Sequence, residues 1–519
     1  MLFVSTTMAF PFLPELVVSM LVLLAVVVLG SYYIKSSNKN PLLPAADWPV
    51  AGILPSLVHN LHRLHDYIAL DLLAPSGHSR NFAIASLSFF ITCDPANIRH
   101  IFTSNRANYP KGEELGEIFD VTKGAIVTID GESSRRQRVN YQGVLNSPRL
   151  VGRMTKLCRD KVEKGLLPLM AHMARTGTPV DMADLMTRLV FDLYVTTVFG
   201  VDPARLSPDM PPMHVSDAMD TVMEVGLVRI IVPAFCWKAM RRLNIGPERK
   251  LAAAQAVLRC FINDMIREWR KNGHTNGQEP TVDILSSYID DPEYNGDLLH
   301  PTITTYMIAG RDTIGTTLPW IFYNLSKNPH VVSSIRDELA PIVSRKAATA
   351  ASAATAVIFE PEEVKALVYL QATVLETLRL YPPIALERKT VAATDVMPTG
   401  HEVCSSDIVI VSLYALGRME AVWGADCREY RPERWLSEDG RKLRFVPSHE
   451  FLTFHAGPRL CLGKDIALLQ LKIIVAAIVW NFDVKALDGQ AIDIKLSCLL
   501  QLKHGLKVKL NKREMKHTY

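Results

Sequence analysis

The sequence predicts a mainly α-helical protein with small β-sheets, preceded by one N-terminal transmembrane helix. Residues 150–174 and 250–271 carry apolar side chains at helical spacing between charged ones, which is typical of amphipathic helices. Residues 81–93 contain short apolar groups, which indicate strands, and residues 498–508 are predicted to form a closing hairpin. Residues 16–34 form a nearly uninterrupted apolar run, and about 20 such residues suffice to cross a bilayer as a helix.

Composition restricts the classes of protein to which the chain can belong. Of its 519 residues, 48% are hydrophobic and 21% are charged, which is enough apolar material for a large core and too little charge for a disordered chain. The formal net charge of +4 is too small at this length to indicate nucleic-acid binding, so no nucleic-acid partner is expected. The eight cysteines include no Cys-x-x-Cys pair, which argues against zinc sites and a disulfide framework. A reducing compartment is therefore expected.

The first 56 residues are predicted to attach the protein to a membrane. Residues 1–35 contain the apolar run and form the anchor; Lys35 and Lys39 follow the run, and no Lys or Arg precedes it. The positive-inside rule then places the chain after the anchor in the cytosol. Residues 36–56 are rich in proline and are predicted to form a stiff hinge. Residues 57–519 are predicted to form one large domain.

One cysteine lies in a short turn that leads into an apolar segment. Cys461 is followed by residues 466–480, which are nearly all apolar and predict a buried helix. A thiol at a helix N-terminus is favoured as the thiolate by the helix dipole and by unpaired backbone N–H groups. Gly457 and Gly463 would permit a bend and a close approach of the backbone, and Phe454 could cover the sulfur. The alternative is that this cysteine is only a small buried hydrophobic residue.

A second group of candidate residues lies inside a helical pattern over residues 303–325. Gly310 costs about 1 kcal/mol relative to alanine in a helix interior, so its presence needs a reason. The missing side chain is expected to open a groove into which Asp312 and Thr313 relay a proton. The hydroxyl of Thr313 can also bond to the carbonyl four residues earlier and bend the helix.

An acidic and a basic residue lie three positions apart on another predicted helix. Glu376 and Arg379 therefore share one face and can pair. An exposed pair would contribute little to stability. The apolar neighbours Leu375 and Leu378 instead indicate a buried helix, where an unpaired charge would be costly. We expect this pair to be structural rather than chemical.

Together these stretches resemble the cytochrome P-450 family of haem-thiolate monooxygenases. The resemblance covers the whole chain, and the cysteine loop matches the family pattern F-x-x-G-x-R-x-C-x-G at each fixed position. It implies haem b ligated by Cys461, electrons taken from NADPH by a separate NADPH–cytochrome P-450 reductase, and insertion of one oxygen atom from O2. It also implies a single-pass protein of the endoplasmic reticulum membrane with its catalytic domain in the cytosol.

The resemblance further assigns individual residues to the cofactor and its support. Arg138 occupies the arginine of the family's Trp-x-x-x-Arg pattern, although Ser134 replaces the tryptophan. Lys389 occupies the place of a basic residue for the other propionate, with Arg388 as its competitor. Arg434 occupies the place of the arginine that joins the family's Glu-x-x-Arg pair. The predicted cofactor contacts are thus Arg138, Lys389, Phe454, Arg459 and Gly463.

The substrate class is indicated only by resemblance within the family. Residues 417–424, the Ala-Gly-Arg-Asp-Thr form and Phe-His-Ala-Gly-Pro-Arg are similar to a plant branch that hydroxylates fatty acids and alkanes. The chain looks nearest to the subgroup with mid-chain alkane hydroxylases of cuticular wax, which also contains enzymes that couple phenols in alkaloid synthesis. Both chemistries therefore stay open. The predicted pocket is mostly aliphatic. Its residues are Ile308, Ala309, Ile384, Ala385, Leu386 and Leu499.

Two alternatives from other classes remain. One is a haem-thiolate isomerase or dehydratase that rearranges a peroxide without a reductase; Asp312 and Thr313 argue against it, because such an enzyme needs no proton relay for O2. The other is a non-enzymatic, membrane-anchored binding protein. The expected partners are the reductase, O2, an apolar small molecule and membrane lipid. The reductase is expected to dock where the basic residues Arg135, Arg136 and Lys464 could collect.

Overall fold

The computed structural model describes residues 52–84, 87–273, 282–294, 296–349 and 356–513. Within these ranges the chain is mainly helical with small β-sheets, as predicted. The predicted anchor and all but the end of the predicted hinge lie outside them. In the described part of the chain, no helix combines the length and the apolarity that crossing a membrane requires.

The helices make up most of the described fold. The α-helical segments are α1 (Leu54–His59), α2 (Leu64–Asp66), α3 (Pro95–Arg99), α4 (Glu113–Ile118), α5 (Gly131–Leu145), α6 (Pro148–Lys161), α7 (Leu167–Thr176), α8 (Met182–Phe199), α9 (His214–Ile231), α10 (Ala234–Leu243), α11 (Gly246–Gly273), α12 (Leu299–Met307), α13 (Thr313–Lys327), α14 (Pro329–Thr349), α15 (Pro361–Lys365), α16 (Val368–Leu380), α17 (Leu413–Leu416), α18 (Glu420–Trp423) and α19 (Lys464–Asn481). Wider π-helical segments are Tyr67–Leu73, His100–Ser104, Val162–Leu166 and Ile308–Asp312.

The strands of the described residues form three small sheets. They are β1 (Ser79–Ile84), β2 (Leu87–Thr92), β3 (Val180–Asp181), β4 (Leu386–Thr390), β5 (Asp395–Val396), β6 (Glu402–Val403), β7 (Ile408–Ser412), β8 (Phe482–Ala486) and β9 (Lys507–Lys512). The largest sheet has the order β1-β2-β7-β4, and the others are β3-β9-β8 and β5-β6. The pair β2–β7 is parallel, whereas β1–β2 and β4–β7 are antiparallel. The strands predicted near residues 81–93 are confirmed as the β1–β2 hairpin.

The predicted closing hairpin over residues 498–508 is wrong. Strand β9 pairs with β8 instead, with Phe482 opposite Lys512. The reason is that the preceding residues are held elsewhere: Leu500 N–H donates to Pro383 O at 3.0 Å, and Leu499 forms an isolated bridge with Ile384. These contacts bind the segment to the chain before β4, so it is not free to fold back on β9.

Two hydrophobic cores stabilise the arrangement, a larger one among the helices and a smaller one against the largest sheet. Helix α19 crosses the larger core directly after the cysteine loop, and its nearly complete burial confirms the predicted buried helix. Even Lys472 is buried there, because its ammonium donates to Lys365 O at 2.9 Å and to Gln371 Oε1 at 3.1 Å.

A buried carboxylate on α16 connects this helix to the chain that precedes the cysteine loop. Glu376 is fully buried and accepts two hydrogen bonds from Arg379, at 2.7 and 2.8 Å. It also accepts from Arg434 Nε at 3.0 Å and from Trp435 Nε1 at 2.9 Å. The backbone N–H of Arg431 donates to it at 2.8 Å. The predicted pair is therefore buried, and Arg434 lies beside it.

Aromatic contacts extend this cluster to the cysteine loop. The ring of Trp435 lies 4.7 Å from that of Phe451, which lies 6.3 Å from the ring of Phe454. The hydroxyl of Thr453 donates to Leu378 O at 3.3 Å, which ties the same loop to α16. The position of the loop therefore depends on the buried charges around Glu376.

We expect Glu376→Ala to lower the free energy of unfolding by about 3–5 kcal/mol, because two buried guanidinium groups lose their shared carboxylate. Urea denaturation of the wild type and the variant measures this difference. The matched control is Glu429→Ala, which removes an exposed carboxylate near Arg431 and Arg434 and should change stability little. Equal losses in the two variants would contradict a structural role for Glu376.

Candidate active site

A cavity of about 300 Å³ lies between α5, the helix that runs from α12 into α13, and the cysteine loop. It brings together the two motifs that the sequence analysis singled out separately. Ala309, Gly310 and Thr313 line one side, and Cys461 lies on the loop that lines the other. Of the cysteines that the structure describes, Cys461 alone lines this cavity.

Cys461 is accessible from the cavity although protein surrounds most of it. Burial raises the pKa of its thiol, while the backbone N–H of Gly463 and the charges of Arg138 and Lys464 act in the opposite direction. The expected preference for thiolate is thus only partly built into the protein. A bound metal ion would supply the remaining positive charge, because a coordinating thiol is deprotonated outright.

The cysteine loop contains two residues with left-handed backbone. His455 has φ +64° and Gly457 has φ +57°. A Cβ at Gly457 would lie 3.1 Å from Phe102 O, so the predicted bend and close approach both hold at this position. Gly463 differs, because its φ is −90° and a Cβ there would meet no described protein atom within 4 Å. Gly463 lines the cavity, so the missing side chain leaves space at this part of the wall.

The helix on the opposite side of the cavity changes its winding at the predicted motif. Residues Ile308–Asp312 form a π-helical segment between α12 and α13. Thr313 Oγ1 donates to Ala309 O at 2.7 Å, which is the predicted bond to the carbonyl four residues earlier. A local π segment often marks a functional site, and here it lies at the wall of the cavity.

The space beside Gly310 is filled by a side chain that the sequence analysis missed. A Cβ at Gly310 would overlap the ring of Tyr194, which comes from α8. Tyr194 also lines the cavity and donates to Gln470 Oε1 at 3.0 Å. Gly310 therefore allows close packing of two helices, and the predicted open groove at this position is wrong.

Asp312 does not line the cavity, contrary to the expectation that it faces the groove. Its side chain is 1% exposed, and Oδ1 accepts from Arg311 Nη1 at 2.7 Å. The same guanidinium nitrogen donates to Asp220 Oδ1 on α9 at 2.6 Å, which holds the carboxylate of Asp312 away from the cavity. Burial raises the pKa of Asp312 to about 6, although Arg311 opposes the shift. Within the described residues, Asp312 Oδ2 has no hydrogen-bond partner.

The predicted cofactor-binding cations divide into two groups. Arg138 and Arg459 line the cavity, where Arg138 donates to Leu460 O at 2.6 Å and Arg459 pairs with Asp130 at 2.9 Å. Lys389 lies outside the lining, because its ammonium is buried against Glu387 at 3.0 Å. The other predicted contacts, Phe454 and Gly463, line the cavity, and the competitor Arg388 is paired with Glu114 outside it.

Lys111 is a cavity cation that the sequence analysis missed. Its ammonium donates to Val127 O at 2.6 Å, and burial lowers its pKa to about 7. Lys389 lowers that pKa further, whereas Glu387 opposes the shift. A single lysine after a proline in an irregular segment has no periodicity that would separate it from a surface lysine, so no signal in the sequence could have identified it.

The predicted set of substrate-pocket residues is confirmed in part. Ala309 and Ile384 line the cavity, whereas Ile308, Ala385, Leu386 and Leu499 do not. Leu386 starts β4 opposite Ser412 and is part of the sheet, and the preceding Ala385 accepts the backbone N–H of Leu413. The apolar lining comes mainly from other residues. It includes Ile126, Leu145, Met154, Ile314, Leu378, Pro383, Leu462, Ile466 and Leu471.

Comparison with known proteins assigns the family. The family model described as Cytochrome P450 matches residues 43–510. The chain is 35% identical to noroxomaritidine synthase 2 of Narcissus pseudonarcissus, with 93% of each chain covered. It is 34% identical to cytochrome P450 86B1 of Arabidopsis thaliana, covering 95% of this chain and 90% of that one.

A third relative has a name that states its reaction class. The chain is 33% identical to alkane hydroxylase MAH1 of Arabidopsis thaliana, with 92% of this chain and 95% of the relative covered. These similarities extend over nearly the whole length of the relatives. The cavity lies between the cysteine loop and the helical motif around Thr313, which both carry the resemblance to this family. The chain belongs to the cytochrome P450 family.

Proposed function

We propose that the protein hydroxylates long-chain aliphatic compounds, alkanes or fatty acids, using O2 and electrons that a reductase takes from NADPH. The observation that carries this proposal is the largely apolar wall of the cavity beside Thr313 and Cys461. The similarity to an alkane hydroxylase supports it. An aliphatic chain makes no directional contacts, so aliphatic side chains suffice to bind it.

The residues of the cavity fit the haem that the family uses. Cys461 would ligate the iron, and haem with a thiolate ligand supplies activation of O2 when bound. Lys111, Arg138 and Arg459 line the cavity and would hold the carboxylates of the cofactor. The room that Gly463 leaves at the wall, where a Cβ would meet no described atom, is consistent with a large flat group there.

In this proposal Asp312 and Thr313 transfer protons to the cavity. The carboxyl of Asp312 has a pKa of about 6, and its Oδ2 has no hydrogen-bond partner among the described residues, so it exchanges a proton at little cost near neutral pH. Because Asp312 lies outside the lining, its proton reaches the cavity through an intervening hydroxyl or water molecule. The hydroxyl of Thr313, fixed by Ala309 O, receives and orients it.

Oxidative phenol coupling is the second candidate function. The noroxomaritidine synthases match the chain at an identity similar to that of the alkane hydroxylase, so sequence similarity does not separate the two chemistries. Tyr141, Tyr194 and Tyr306 line the cavity and would pack against an aromatic substrate.

The proposal includes a membrane location and a reductase partner. Residues 1–35 are proposed to anchor the protein in the endoplasmic reticulum membrane, on the evidence of their apolar run and the lysines after it. Arg135 and Arg136 are exposed on α5, and Lys464 begins α19 close to the ring of Phe454. These basic side chains are proposed to attract an acidic surface of the reductase.

The function is tested by reconstituting the full chain with reductase and NADPH in lipid vesicles. Hydroxylated product from a long-chain alkane or fatty acid supports the proposal, and a coupled product from a phenolic amine supports the second candidate instead. Cys461→Ala is the control, because it should lack the carbon monoxide spectrum of a thiolate-ligated haem and form neither product. Rearrangement of a fatty-acid hydroperoxide without reductase would contradict both.

We expect Thr313→Ala to bind haem and substrate but to divert NADPH electrons from product to hydrogen peroxide, because the hydroxyl that orients the proton is lost. Asp312→Asn should slow turnover by about tenfold or more, the scale of general acid–base catalysis. The measurement is the ratio of product formed to NADPH consumed. Thr316→Ala is the matched control, since Thr316 is buried outside the cavity lining. Equal coupling in all three variants would exclude the proton-handling role.

Lys111→Gln tests the proposed carboxylate site. Lys111 is charged below its pKa of about 7 and neutral above it, and only the charged form attracts a carboxylate. Haem affinity of the apoprotein should therefore fall between about pH 6 and about pH 8 in the wild type, and this fall should be weaker in Lys111→Gln. Lys389→Gln, outside the cavity, should keep this fall but move it to higher pH, because the charge of Lys389 lowers the pKa of Lys111. The reverse pattern would assign the carboxylate to Lys389.

A further inference from the structure

Four tyrosines form a compact cluster at one edge of the cavity. Tyr141 on α5 and Tyr306 on α12 both line it, and their rings stack with centroids 4.6 Å apart and planes 9° from parallel. Tyr288 lies behind them, 5.8 Å from Tyr306 and 5.9 Å from Tyr141. Tyr294 follows, 4.6 Å from Tyr288. The rings thus lead from the cavity wall through the core.

A hydrogen bond connects two of the hydroxyl groups of these rings. Tyr288 Oη and Tyr306 Oη lie 2.7 Å apart and share a hydrogen bond. Tyr294 Oη accepts from Asn140 Nδ2 at 3.1 Å, and Asn140 is half-buried on α5. The cluster therefore reaches from the cavity to a side chain that meets solvent.

Packing alone does not account for phenols at these positions. All four rings are buried, and a phenylalanine would fill nearly the same space without a polar atom to desolvate. Tyr141 Oη has no hydrogen-bond partner among the described residues, although Thr302 and Thr305 lie near enough to oppose the rise in its pKa. Burial raises the pKa of all four phenols, so each is neutral and can lose an electron only together with its proton.

We propose that Tyr141, Tyr306, Tyr288 and Tyr294 form a redox relay that removes a single oxidising equivalent from the cavity when no substrate is in position. The relay depends on the part of the proposed function that requires haem in the cavity, and it does not depend on which substrate the protein oxidises. Its oxidant is a peroxide or peracid acting through the cofactor, and its final reductant is a soluble thiol or ascorbate. The relay would protect the protein, because an oxidising equivalent that finds no substrate can oxidise side chains near the cavity.

Each step of the relay conserves atoms and electrons. Tyr306 would give up one electron and its phenolic proton, together one hydrogen atom, to the peroxide or peracid that is reduced at the cofactor site, and would become a neutral radical. Tyr288 then passes one hydrogen atom, a proton and an electron, across the 2.7 Å hydrogen bond, so that Tyr306 is again a phenol and Tyr288 is the radical. The thiol or ascorbate later returns one hydrogen atom to the cluster.

The experiment mixes the purified haem-loaded protein with a peracid in the absence of reductase and substrate, and freezes it for electron paramagnetic resonance. We expect a tyrosyl radical signal in the wild type, its loss in the double variant Tyr141→Phe/Tyr306→Phe, and a changed line shape in Tyr288→Phe, which removes the hydrogen-bonded hydroxyl. Tyr414→Phe is the matched control, because Tyr414 is a buried tyrosine bonded to Asp66 outside the cavity lining. It should keep the full signal.

Two results would overturn the relay. One is an absent radical in the wild type, or an unchanged signal in the double variant and in Tyr288→Phe. The other is loss of the signal only in Tyr194→Phe, because Tyr194 also lines the cavity but lies outside the cluster. An unchanged carbon monoxide spectrum of Tyr288→Phe is the check that its haem site is intact. Since the test uses no substrate, failure of the relay is distinguishable from failure of the proposed aliphatic hydroxylation.

Discussion

The buried carboxylate of Glu376 is the interaction on which the rest of the structure depends. It neutralises Arg379 and Arg434 where water cannot, and its other hydrogen bonds fix the backbone and the indole before the cysteine loop. From Trp435 the contact passes through aromatic rings to Phe454, whose carbonyl accepts the backbone N–H of Cys461 at 2.9 Å. A charge cluster with no place in the chemistry thus determines where the sulfur lies.

Features with local causes could be predicted from the sequence. The buried helix α19 and the bond from Thr313 to the preceding turn each follow from residues near one another in the chain. The direction of a side chain could not be predicted in the same way. Asp312 points away from the cavity because Arg311 finds a carboxylate on α9, a partner far along the sequence. Likewise, Lys389 is buried against Glu387 within its own strand.

The cavity wall shows the same limit. Residues 303–325 and 454–480, which the sequence analysis singled out, supply more than half of the lining, so an apolar wall was predictable. The remaining lining residues come from segments that carry no comparable motif. Lys111 and Tyr194 reach the cavity only through tertiary packing. The sequence therefore indicates an apolar pocket. The positions of the few charges and hydroxyls in it, which matter for the choice between an aliphatic and a phenolic substrate, are known only from the folded chain.

The contact between Gly310 and Tyr194 has a consequence for how the sequence can evolve. Because the ring occupies the place of a Cβ, a mutation to alanine at position 310 is tolerated only with a smaller residue at position 194 or with wider separation of the two helices. The residues allowed at position 310 therefore depend on the residue at position 194, although the two positions lie far apart in the chain. Related chains should change them together, and a chimaera that takes α8 from one parent and α12–α13 from another will inherit the clash whenever the parents differ there.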